Sequence, residues 1–206
     1  MNIHSVYEYF LRSERMTEQK PTKRQDILDA AIVLFAERGY NGTTVPMIAE
    51  AAKVGAGTIY RYFDHKENLV NVLFQEKVKQ LSHHLMQGYP NDSSIREQFR
   101  HIFQRIHHFA IGDSHALHFI DSHCSEIFLT EESNQVFDSF IQYICDVIEV
   151  GQKRGEIILM QTEALIGIVY GAIVQILKML RSDVLDGSEL LMKSIEECCW
   201  NAIRSH

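Results

Sequence analysis

The segment Val54-Gly55-Ala56-Gly57-Thr58-Ile59-Tyr60-Arg61-Tyr62-Phe63 decides how the rest of the chain is read. Just before it lies a short helical pattern, Thr44 to Ala52, in which Val45, Ile48, Ala49 and Ala52 recur at steps of three and four residues. Two short helices therefore meet at Lys53-Val54-Gly55. A tight turn containing glycine between two such helices is the signature of a helix-turn-helix, whose second helix lies in the major groove of DNA. In that second helix Ile59 and Phe63 can share the buried side. Thr58, Tyr60, Arg61 and Tyr62 put hydroxyls and a guanidinium on the remainder, a load that few core helices would tolerate.

Around this centre, Ile27, Phe35, Gly39, Thr43, Thr44, Ile48, Ala49, Ala52, Val54, Gly57, Thr58, Tyr60, Tyr62, Phe63, Lys66 and Leu69 stand in an order and spacing that resembles the DNA-binding domain of the TetR family of bacterial transcriptional repressors. The resemblance implies a DNA-reading head joined to a helical body that senses a small molecule. Carried over by position, it implies phosphate contacts from Lys20, Lys23, Arg24, Thr44, Tyr62 and Lys66. Ala56, Thr58, Tyr60 and Arg61 would then lie near base edges or thymine methyls. One position departs from the pattern: many members carry Ser at the turn, and this chain has Gly55, a weaker N-cap without the hydroxyl.

Composition agrees. The 206 residues include 46% apolar side chains, enough for a packed core. No run approaches the length needed to span a bilayer and the first residues lack the apolar centre of a signal peptide, so a cytoplasmic protein without a membrane partner is expected. Cys124, Cys145, Cys198 and Cys199 show no CxxC spacing, and reduced thiols are the default. A net charge of −7 looks wrong for a DNA binder. Of the 20 basic and 27 acidic residues, however, residues 1–75 hold nine of each, which leaves eleven against eighteen in 76–206. The acidic excess lies wholly in the second part, and phosphate attraction must come from locally placed cations.

In chain order, residues 1–19 read as an arm or short extra helix, with a second possible start at Met16. Residues 20–66 form the head. Thr22 and Gln25 make a capping box for a first helix carrying Ile27, Ala30, Ala31, Leu34 and Phe35 on one face, and Gly39 ends it. Thr43 and Thr44 open the second helix, where Pro46 is tolerated in the first turn. Asp64 with Glu67 suggests another capping box, opening a lever helix that runs to about Gly88 with Lys66 aimed outward. Residues 67–206 complete an all-α chain through periodic segments at 95–111, 115–128, 132–154, 163–181 and 188–204.

Two readings of the body stand side by side. Phe103, Ile106, His107, Phe119, Ile120, His123, Cys124, Phe137, Phe140, Ile141 and Tyr170, with Phe99, Phe109, Phe128 and Tyr143, either fill the core or line a cavity for a hydrophobic or aromatic effector. Eight of the eleven histidines fall between His83 and His123. With Asp121, Cys124 and Glu126 they leave a metal- or thiol-responsive regulator as the alternative, using His101, His108, His115 and His118 in the 101–126 region. No HExxH, nucleophile elbow, P-loop or dinucleotide fingerprint occurs, so neither a cofactor nor an enzyme is expected.

The segment 163–181 is apolar around most of its circumference, with Gly167, Gly171 and Ala172 permitting close helix approach. Together with the stripe Leu190, Leu191, Ile195, Cys198 and Ile203, it predicts a homodimer through the last two helices. Two heads would then read half-sites of a double-stranded operator one duplex turn apart.

Overall fold

The structure, a computed structural model, describes residues 22–205. Those residues form α1 (Lys23–Gly42), α2 (Val45–Ala51), α3 (Ala56–Tyr60), α4 (Lys66–Met86), α5 (Ile95–Gly112), α6 (Ala116–His123), α7 (Glu131–Lys153), α8 (Thr162–Arg181) and α9 (Glu189–Ile203). The described residues are all-helical, as expected, and extended pairing among them is limited to an isolated bridge between Ile157 and Arg204. The expected arm at 1–19 and Lys20 lie outside the described residues.

Local chemistry places most helix ends. Thr22 Oγ1 accepts from the Gln25 amide at 3.3 Å, while the Gln25 side chain donates forward to Asp29. Gly39 breaks the helical course of α1 at φ +67°, a left-handed conformation that glycine adopts without a Cβ clash. The fully buried Thr43 ties that kink, its hydroxyl shared between the carbonyls of Gly39 at 2.8 Å and Leu34 at 3.0 Å. Thr44 then caps α2 by accepting from the Met47 amide, with Pro46 in the first turn.

The cap of α4 differs from expectation. His65 sits at the N-cap in extended backbone and its Nδ1 accepts from the Asn68 amide at 3.0 Å; Asp64 falls one residue too early. Running 21 residues, α4 rises about 31 Å from the head into the body. Its Leu69, Val70, Leu73 and Phe74 belong to the same buried cluster as Ile27, Phe35, Ile48 and Ile59 of the head and Phe103, Ile120 and Leu165 of the body. Head and body thus share one continuous core.

Two more boundaries are corrected. The helix expected over 115–128 stops at His123, because the chain leaves it in turns (Glu126 amide to His123 carbonyl, Leu129 amide to Glu126 carbonyl) before Thr130 caps α7. And α8 is long and apolar enough, by length and composition, to cross a membrane, with mean hydropathy 1.7 over its most apolar window, contrary to the expectation that no run reaches that length. Only 11% of that window is buried within the chain, so α8 turns much of its apolar surface outward.

Candidate DNA-reading head and effector cavity

The turn between α2 and α3 passes through Lys53 at φ +55° and reaches Gly55, which occupies the α3 N-cap without a side-chain bond. The five-residue α3 is held instead by its inner face: Ile59 is 1% exposed and Phe63 2%. Its outer face carries Tyr60 at 54% exposure and Tyr62 at 45%, with Ala56, Gly57 and Arg61 also exposed and Thr58 half-buried. Lys23, Thr44 and Lys53 are exposed around them. This is the outward display that the sequence pattern requires.

Two cations of the expected set are engaged within the protein. The Arg24 guanidinium pairs with Glu76 of α4 at 2.6 Å and lies 5.7 Å from the Phe63 ring centre. The Lys66 ammonium turns back rather than outward. It donates to the carbonyls of Tyr40 at 2.8 Å and Thr43 at 2.9 Å, and sits 3.9 Å from the centre of the Tyr40 ring. Those carbonyls are released by the Gly39 kink, and a lysine at the start of α4 reaches them; the resulting burial pushes its pKa down.

In the body, α4, α5, α6, α7 and α8 converge on an apolar cavity of about 120 Å³. Phe103, Ile106, Ile120, Cys124, Phe137, Phe140, Ile141 and Tyr170 line it, as does Phe99. Leu81, Ile102, Ile144, Leu165, Val169 and Ile173 complete much of the wall; they belong to long apolar stripes whose inward phase sequence alone leaves open. Its polar groups are Asp121, Cys124 and Tyr170. Burial and the neighbouring Asp121 push the Tyr170 phenol up. Asp121 also borders an outer basin of about 220 Å³ lined by Ser114, His118, Leu177 and Arg181.

Three expected effector residues lie elsewhere. His107 borders a surface depression beside Ile111 and Leu180. Phe119 is fully buried on the far side of α6, with its ring centre 6.1 Å from Phe35, 6.3 Å from Phe74 and 4.5 Å from His123. His123, 2% exposed, packs between Phe35 and Phe128, and its Nδ1 lies 2.9 Å from the Phe119 carbonyl. The reason is helical phase. Ile120 and Asp121 face the cavity, whereas Phe119 and His123, four apart, face the head. Phe109, Phe128 and Tyr143 are likewise outside the wall, against His84, Tyr40 and Tyr89 respectively.

The seam between head and body is therefore aromatic: Phe119 and His123 of α6 meet Phe35 of α1, and Tyr40 stacks on Phe128 at 4.1 Å. Asn71 fixes the adjoining loop. Its Nδ2 donates to the carbonyls of Glu67 and Phe128, and its Oδ1 accepts from the Thr130 amide at 2.8 Å and the Ser133 hydroxyl at 2.7 Å. A lone Asn in the run Leu69-Val70-Asn71-Val72-Leu73-Phe74 was the sequence signal for it.

The alternative reading finds no support. Among the described residues no three His, Cys, Asp or Glu side chains are grouped to hold a metal ion. His101 bonds the Leu85 carbonyl and His123 the Phe119 carbonyl, so these histidines point to separate partners. Burial pushes the Cys124, Cys145 and Cys199 thiols up, away from the reactive thiolate.

Comparison with known proteins agrees with this geometry. Residues 27–73 match the family described as bacterial regulatory proteins, tetR family, and residues 74–205 match the tetracyclin repressor-like C-terminal domain. The fatty acid metabolism regulator protein of Bacillus subtilis is 29% identical over 143 residues, 68% of this chain and 73% of that one. The transcriptional repressor KstR2 of Rhodococcus jostii is 44% identical over 59 residues, 29% of each chain. Among solved structures, a TetR family transcription regulator from Marinobacter aquaeolei superposes with TM-score 0.80 at 18% identity, covering 89% of this chain and 96% of that one. FadR of Bacillus subtilis in complex with stearoyl-CoA superposes with TM-score 0.68 at 24% identity, covering 84% and 96%.

Proposed function

This chain belongs to the TetR family of transcriptional regulators, and on that premise we propose that it is a homodimeric repressor released from its operator by a molecule with a long apolar portion. The observation that carries this reading is the double-sided α6, which lines the cavity with Ile120 and Asp121 and packs Phe119 and His123 against the head. The cavity of about 120 Å³ is smaller than the roughly 300–1,000 Å³ of ordinary ligand sites. An occupant has to part its walls, and α6 is a wall that bears on α1 through Phe119 and His123. The fatty acid regulator among the relatives, and the acyl-CoA held by the structural neighbour, support an acyl chain as the occupant.

Arg61, Tyr60, Thr58 and Ala56 are assigned to base edges, with Lys23, Arg24, Thr44 and Tyr62 at phosphates. Arg24 would exchange Glu76 for a phosphate. Lys66 is reassigned to bracing the kink at Gly39. Pairing of subunits through α8 and α9 covers Ile168 and Leu190, 44% and 75% exposed. An added Cβ at Gly167 or Gly171 meets no atom within 4 Å, which leaves room for a partner helix. Because binding only one of two conformations shifts their populations, the effector lowers DNA affinity by its preference for the arrangement with mis-spaced heads.

Fluorescence anisotropy with the DNA upstream of the chain's own gene tests the proposal. Nanomolar binding in about 0.15 M salt, reversed by micromolar long-chain acyl-CoA, is expected. Binding that no apolar molecule reverses would remove the effector half of the reading.

A further inference from the structure

The polarity of the cavity says more about its occupant than its shape does. Among the described residues its wall contains no Lys, Arg or His. The ionisable side chains there are Asp121, Cys124 and Tyr170. Asp121 is also the residue shared with the outer basin, whose wall includes Arg181 and His118. Arg181 is anchored there by donating from its guanidinium to the Ser114 carbonyl at 3.0 Å. Asp121 therefore stands where the two spaces meet, with the basin beside Arg181 on one side and an apolar interior without cations on the other.

We propose that Asp121 is a specificity-determining residue that admits the apolar part of an effector and turns away a carboxylate, so that the effector enters tail first and carries its negative charge only in the basin beside Arg181. This deepens the apolar-effector reading and rests on it. Burying an ion without a partner is costly, and a second anion beside the half-buried Asp121 carboxylate adds repulsion to that cost. A free fatty acid seated at full depth puts its carboxylate against Asp121. Sliding outward toward Arg181 relieves the repulsion but withdraws methylenes from the cavity, so it loses affinity either way. An acyl thioester of coenzyme A presents a neutral carbonyl at the threshold and phosphates beyond it. The Tyr170 hydroxyl or the Cys124 thiol can meet that carbonyl, whereas the carboxylate cannot donate to it.

The test uses three probes with one chain length: dodecanoyl-coenzyme A, dodecanoate and 1-dodecanol, each titrated calorimetrically into the full-length protein at pH 7.5. The wild-type protein should bind the thioester at least about tenfold more tightly than the free acid, with the neutral alcohol bound as well. In Asp121→Asn, which keeps the side-chain size, the gap should shrink at least about fivefold through tighter binding of the acid. Arg181→Glu should weaken the thioester while leaving the alcohol unchanged. Equal affinities for thioester and acid in the wild type overturn the proposal, without any need for a variant. A gap that Asp121→Asn leaves unchanged also overturns it. If none of the three binds, the apolar-effector reading itself fails; if the alcohol binds and the thioester is not preferred to the acid, only the role given to Asp121 fails.

Discussion

The two short helices α3 and α6 put opposite demands on their sequences. In α3, five residues are pinned by Ile59 alone, with Phe63 just beyond, and Tyr60, Arg61 and Tyr62 stand in solvent. In α6, eight residues are enclosed on two sides, with Ile120 toward the cavity and Phe119 and His123 toward the head. A surface helix can change what it reads without touching the core. A helix buried on both faces cannot move one face without the other, and the proposed relay rests on that property.

This contrast should appear first in stability. Phe119→Ala removes a fully buried ring where α6 meets α1 and should cost about 3–5 kcal/mol in denaturant unfolding, whereas Tyr60→Ala should stay within about 0.5 kcal/mol. Comparable losses at the two sites would erase the distinction. Asn71→Ala is the next largest, since it strands the Thr130 amide and the Phe128 carbonyl at the loop leaving α6; about 1–3 kcal/mol is expected from the same measurement. For α3 the effect belongs in DNA binding. Arg61→Ala should weaken specific operator binding by about 1–3 kcal/mol at fixed salt while the thermal midpoint holds.

Acid should act on α6 and spare α3. Burial, reinforced by the positive charge of Arg181 at His118, holds His118 and His123 below the ordinary 6.5. The folded protein then binds fewer protons than the unfolded chain, so this contribution is complete above about pH 6.5 and is lost as pH falls through the lowered folded values. The thermal midpoint should drop between about pH 7 and 5, less steeply in His123→Leu than in the wild type. Lys53→Gly relieves a left-handed residue in the turn before α3 and should raise stability by about 0.5–1 kcal/mol in denaturant unfolding.

The same contrast explains what could be read in advance. The head was legible because each signal was local: Gly55 at a tight turn, Ile59 and Phe63 four apart, and hydroxyls with no place in a core. Its errors were local too, with His65 capping where Asp64 was expected and Lys66 curling back to carbonyls exposed by Gly39. In the body, eight of the expected effector residues reach the cavity, but Phe119, His123 and His107 do not. Periodicity marks a helix face as apolar without saying what it faces, and on α6 both faces are apolar. Asn71 and Asp121 show where the missing information lay, in single polar residues that interrupt apolar surroundings.

Linkage tests the relay most directly. Dodecanoyl-coenzyme A affinity is measured with and without saturating operator, alongside operator affinity with and without saturating thioester. If α6 couples cavity to head, DNA weakens the thioester by the same factor as the thioester weakens DNA, roughly 5- to 150-fold. Equal thioester affinity on free and operator-bound protein would contradict it.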